Sequence, residues 1–288
     1  MEIRAKRRII GCIGPLLGLL VLGSPAEAQT AKPSDNYLRN IEACNGLDRT
    51  PFEARITGCT ALIDQHQITA PTTLAIAYNN RGNAYAATLD YDRAIQDFDQ
   101  SIKLNPTYTK PFNNSGVAYL KKGEYDLAIK AFDQAIKLNP DYGEAFANRA
   151  GAYLKKNKYD RAARDYDEAI RLDPDLKGVW NGRCWTRAIL GALPAALEDC
   201  NKALQSDSSN AATYDSRGLV HLKMGQFATA IDDYSSALRL DPKLASALYG
   251  RGLAELKQGD KAGGNSDIST AKTIQGNVGD AFTHYGVR

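Results

Sequence analysis

Apolar residues recur three and four positions apart along most of this chain, the spacing of one face of an α-helix. Between Tyr78 and Thr88 the positions are Tyr78, Gly82 and Tyr85; between Tyr91 and Leu104 they are Ala94, Ile95, Phe98 and Ile102. A short break separates such runs, Asp90 here and Gly123 or Gly225 further on, which predicts two antiparallel helices joined by a tight turn. Leu-Asn-Pro or Leu-Asp-Pro then ends the second helix, because proline pushes the residue before it out of helical geometry. The whole pattern repeats every 34 residues.

At that step six stretches share columns. Gly82, Gly116, Ala150, Cys184, Gly218 and Gly252 form one; Tyr85, Tyr119 and Tyr153 begin another that continues as Arg187, His221 and Glu255. Ala94, Ala128, Ala162, Ala196 and Ala230 form a third, and Phe98, Phe132, Tyr166, Cys200 and Tyr234 a fourth. Pro106, Pro140, Pro174 and Pro242 close their units, with Ser208 and Gly276 at the same place in two others. One hairpin cannot bury its own apolar face, so this period predicts a stacked array in which each unit covers the next.

This order of small, aromatic, alanine, aromatic, alanine and proline residues resembles the tetratricopeptide repeat family, which implies an all-α solenoid. Copies fall at 75–108, 109–142, 143–176, 177–210 and 211–244; the looser 245–278, with Gly264 and Gly276 at the alanine and proline positions, reads as a terminal cap. Residues 29–74 contain a degenerate helix pair, Asn36 to Cys44 and Pro51 to Ile63, and 279–288 read as a C-terminal tail.

Two sets of residues fit a hairpin cross-section. The seventh position reads Arg81, Ser115, Arg149, Arg183, Arg217 and Arg251; the twenty-third reads Asp97, Ala131, Asp165, Asp199, Asp233 and Asp267. Arginine and aspartate occur together in five units and vanish together in the second, which predicts a salt bridge across each hairpin, the planar fork of arginine suiting a carboxylate. Cys184 and Cys200 stand one step along from one such pair, and Cys44 and Cys59 flank the first turn. A disulfide needs Cα atoms about 4.4–6.8 Å apart, so pairing within each hairpin is expected and crossed pairing is not.

The first 28 residues add a compartment. Arg4, Lys6, Arg7 and Arg8 precede a short apolar run from Ile9 to Leu22, and Ala26-Glu27-Ala28 offers a cleavage site; this is the pattern of a signal peptide. The run is short for a bilayer span of about 20 residues, although a retained anchor is the competing reading. Export to the periplasm or beyond suits an even set of disulfide cysteines. The leader holds four basic and two acidic residues, which leaves 32 basic against 31 acidic side chains from 36 and 33. Nucleic-acid partners, which select a basic excess, are therefore not expected, and no membrane span is expected after cleavage.

The resemblance implies a concave groove lined by the first helix of each repeat. Its positions give Asn79, Asn113 and Asn181 at the fifth place and Asn80, Asn114 and Asn148 at the sixth. An asparagine ladder can donate to and accept from the backbone of an extended peptide; a solvated polar face is the other reading. Lys121, Lys155, Lys223 and Lys257 at the thirteenth place suit an acidic partner or, equally, the negative end of a helix dipole. Trp185 suits an apolar anchor or packing against the next helix. His66, His221 and His284 are scattered, and no nucleophile elbow, phosphate loop or metal-ligand spacing is present. Neither an enzyme nor a cofactor is expected. A protein-interaction module that takes a peptide or protein in its groove is, and the alternative is a structural subunit of an envelope assembly working through its outer surface or caps.

Overall fold

The computed structural model describes residues 35–46, 50–65 and 68–287; the expected signal peptide and His66 lie outside the described residues. Those described form fifteen helices and no strand. Helices α1 (Asp35–Asn45) and α2 (Phe52–Asp64) make the degenerate first hairpin. Six hairpins follow: α3 (Pro71–Ala87) with α4 (Tyr91–Leu104), α5 (Thr109–Lys122) with α6 (Tyr125–Leu138), and α7 (Gly143–Lys155) with α8 (Tyr159–Leu172). Next come α9 (Val179–Leu190) with α10 (Leu193–Ser206), α11 (Ala211–Lys223) with α12 (Phe227–Leu240), and α13 (Ala245–Gln258) with α14 (Lys261–Ile274). The segment expected as a tail instead begins with a short helix, α15 (Val278–His284). None of the helices is long and apolar enough to cross a membrane.

The first helix of each pair touches the first helices on either side, whereas the second helices touch one another nowhere among the described residues. Helices α3, α5, α7, α9, α11 and α13 therefore line the inner, concave face.

The turn inside each hairpin is fixed at its fifteenth position, which is left-handed throughout. Gly123, Gly191, Gly225 and Gly259 supply it with φ of 75–95°, and Leu89 (φ 65°) and Asn157 (φ 55°) are forced into it. The break in the first repeat is thus Leu89; Asp90, expected as the breaker, caps α4 by accepting from the Arg93 amide at 3.1 Å. The residue before each closing proline is extended, as at Asn105 (φ −141°), and Asp207 and Gln275 keep that geometry where the proline is missing.

Inside a hairpin the aromatic column lies on the small column. A Cβ on Gly82 would come within 2.7 Å of the Phe98 ring, and one on Gly218 within 2.8 Å of the Tyr234 ring. In the fourth repeat the same two columns carry Cys184 and Cys200, joined as a disulfide with Cα atoms 5.3 Å apart. Here a covalent bond stands where in three other repeats a ring rests on a glycine. Cys44 and Cys59 are joined in the first hairpin, Cα atoms 4.5 Å apart.

All five arginine–aspartate pairs are present and bidentate, for example Arg149 Nε and Nη2 at 2.8 Å from the two oxygens of Asp165. Each arginine also reaches backward with Nη1: to Asp133, Asp167, Asn201, Ser235 or, for Arg81, Thr60. One side chain thereby ties its own hairpin together and fastens it to the preceding one. Arg187, in the tyrosine column, adds a second cation to Asp199 at 2.8 Å.

Candidate functional site

The asparagines of the inner face bond to one another across repeats. Asn114 Nδ2 donates to Asn79 Oδ1 at 2.9 Å and Asn148 Nδ2 to Asn113 Oδ1 at 3.0 Å, while Asn80 reaches Asn45 at 3.3 Å. The sixth position of one repeat thus donates to the fifth of the repeat before. This corrects the expectation that all of them face the groove. Asn79 and Asn113 are only 2% and 4% exposed and act as braces. Asn80, Asn114 and Asn148 are half-buried. Each commits one N–H, so its second N–H and its carbonyl oxygen are left over.

The ladder stops at Asn148, because Ala147 and Gly182 hold the next pair of positions, and Asn181 lies beyond that gap. Its donor in the next repeat would be Ser216, whose short hydroxyl turns back to Ala212 O at 2.8 Å. Asn181 Oδ1 is left buried without a hydrogen-bond partner.

Lys121, Lys155 and Lys257 are exposed. Lys223 is not a free groove cation: its Nζ donates to Ala188 O and Tyr285 O at 2.7 Å each, and to Ile189 O at 3.3 Å. Burial pushes its pKa down. It therefore neutralises the carbonyl end of α9 and anchors the C-terminal segment. Trp185 is likewise covered, by the edge of Tyr285 with ring centroids 5.0 Å apart.

These contacts come from Tyr285, the residue after α15, a segment that the repeat pattern gave no means of placing. Val278 and Phe282 are each 2% exposed, and the Phe282 ring lies 4.9 Å from that of Tyr249 in α13. Tyr285 then reaches α9 and α11, and His284 lies 5.8 Å from Tyr159. The inner face is thus open over α3, α5 and α7 and covered from α9 onward. A cavity of about 390 Å³ lies beneath the cover, with Asn181, Trp185, Asp215, Ser246 and Tyr285 among its walls.

His221, in the tyrosine column, is packed, its Nδ1 2.6 Å from Gln226 Oε1. No group of three or more potential metal ligands occurs among the described residues.

Models of the tetratricopeptide repeat match residues 75–108, 114–177 and 152–211, and a TPR-repeat model matches 218–259, together more than half of the chain. No curated protein matches it in sequence. Among solved structures, a tetratricopeptide repeat protein from Parabacteroides merdae superposes with a TM-score of 0.65 at 16% identity, covering 88% of this chain and 100% of that one. Pseudomonas aeruginosa pilF gives 0.62 at 15% identity, covering 75% and 99%. YrrB, described as a TPR protein with an unusual peptide-binding site, gives 0.50 at 18%, covering 65% and 97%. At these identities the structures show the fold, and the sequence models show the kinship: the chain belongs to the tetratricopeptide repeat family.

Proposed function

We propose that this protein is an exported interaction module that holds an extended peptide of a partner along α3, α5 and α7. The observation that carries this reading is the cross-repeat asparagine pairing, Asn114 to Asn79 and Asn148 to Asn113. Each bond fixes the rotamer of a half-buried amide before any ligand arrives, and pre-organised groups lose less entropy on binding. The leftover donor and acceptor of each amide match the alternating N–H and C=O of a peptide backbone. Such recognition reads main chain more than side chains. That YrrB carries a peptide-binding site on a similar fold is in keeping with it. The two hairpin disulfides and the leader-like N-terminus favour an extracytoplasmic setting, where disulfides persist.

The test is fluorescence anisotropy with a library of labelled, unstructured peptides. Asn114→Ala with Asn148→Ala is expected to weaken the best binder about tenfold or more, about 1.4 kcal/mol. Undiminished binding would move the site to the outer surface or the caps, as in a structural subunit of an assembly.

A further inference from the structure

Five aspartates are buried among the described residues: Asp97, Asp165, Asp199, Asp215 and Asp233. Four of them receive a bidentate arginine. Asp215 receives none; it accepts one hydrogen bond, from Ser246 Oγ at 2.7 Å, and no described cation pairs with it. It is the one charged residue in the wall of the cavity under α15. A buried carboxylate costs free energy unless a cation compensates it, and this molecule compensates the others.

We propose that the cavity binds an organic cation bearing N–H groups, an ammonium or guanidinium, between Asp215, Asn181 and the rings of Trp185 and Tyr285. Three features of the wall converge on that chemistry. Asp215 supplies a negative charge in a setting sheltered from water. Asn181 Oδ1 is a buried acceptor without a donor. Trp185 and Tyr285 offer aromatic surface, which attracts cations. Two acceptors call for N–H donors, so a quaternary ammonium, which has none, satisfies neither. The volume of about 390 Å³ suits a side chain or a small amine rather than a folded segment. The site stands whether or not the asparagine ladder holds peptide, because it shares no residue with Asn114 or Asn148.

Isothermal titration of the full chain at pH 8, where the Asp215 carboxyl is ionised, tests this with four probes: n-butylammonium, acetyl-Gly-Lys-Gly-amide, and the same peptide with norleucine or trimethyl-lysine. The lysine peptide or n-butylammonium is expected to bind saturably, and lysine to exceed both norleucine and trimethyl-lysine by about tenfold. Tighter binding of the peptide than of n-butylammonium assigns the cation to a basic side chain of a partner; the reverse assigns it to a free amine. Asp215→Asn, with an unchanged circular dichroism spectrum, is expected to abolish the preference for charge. Asn181→Leu, which keeps the size and removes the acceptor, is expected to narrow the gap between lysine and trimethyl-lysine. Equal affinity for lysine and norleucine, cation binding that survives Asp215→Asn, or no saturable binding at millimolar concentration would each overturn the proposal.

Discussion

In α5 and α7 the sixth position of the repeat is Asn114 or Asn148; in α9 and α13 it is Gly182 or Gly250. The aromatic residue ahead of each explains the difference. Phe98 and Phe132 precede the asparagines, whereas a Cβ on Gly182 would collide with the ring end of Tyr166, and one on Gly250 with that of Tyr234. A phenolic hydroxyl occupies the place where an amide otherwise stands. The open half therefore presents a row of polar rungs. The covered half presents small residues under α15 and leaves Asn181 Oδ1 and Tyr234 OH without partners. One solenoid register thus yields two chemically distinct inner faces.

The largest effect expected from breaking this contrast is at Asp215. Burial pushes its carboxyl from 3.8 up to about 7, with the Ser246 hydrogen bond opposing the rise. The groups facing it are the phenols of Tyr234 and Tyr285, both pushed up by burial, so neither ionises in that interval. A carboxyl whose folded pKa is raised destabilises the fold when ionised. That penalty is absent below about pH 4, grows through pH 4–7 and is complete above pH 7. Asp215→Asn is therefore expected to stabilise the protein at pH 8, by at most about 4 kcal/mol, and to change little at pH 4. Asp165→Asn, which strips Arg149 of its main partner, is expected to destabilise by about 3 kcal/mol at pH 8. Urea titrations at both pH values check the pair, and a loss of stability in Asp215→Asn at pH 8 would remove the contrast.

The junction between the halves is the fourth repeat, where the disulfide replaces the ring-on-glycine contact. Cys184→Ala with Cys200→Ala opens a loop of about 15 residues and is expected to cost about 3 kcal/mol. Cys184→Gly with Cys200→Phe rebuilds the contact seen at Gly116 and Phe132 and is expected to recover part of that loss, read as thermal midpoints.

Exchanging the ring tests the sixth-position rule itself. Phe132→Tyr would drive a hydroxyl toward Asn148 and is expected to cost about 2 kcal/mol through overpacking, with weaker peptide capture. The smallest change lies in the turns, where the first repeat holds Leu89 left-handed and the last holds Gly259. Leu89→Gly is expected to stabilise by about 1 kcal/mol.

Much of this was legible in the columns. The 34-residue step carried the hairpins, the co-occurrence of Arg149 with Asp165 and the gap at Ser115 and Ala131 carried the clamps, and hairpin spacing carried both disulfides. Orientation was less legible. Asn113 and Asn114 are neighbours of one residue type, and only the packed neighbour helix decides that one is buried and the other half-buried. The backward reach of each arginine was hidden because its acceptor varies among Asp133, Asn201 and Ser235. Asp215 left a visible trace, an acidic residue in the asparagine column, but its lack of a cation appears only when every neighbour is placed. Helix α15, at seven residues, is too short to show a period, and the capture of Lys223 and Trp185 by Tyr285 just after it depends on contacts remote in sequence.

The most direct measurement pairs two variants against one neutral, unstructured peptide that the protein binds: Asn114→Ala with Asn148→Ala, and Asp215→Asn. The account expects the asparagine variant to lose affinity about tenfold or more and the aspartate variant to bind as the parent does. Retained affinity in the first with a loss in the second would place the peptide under α15 and contradict it.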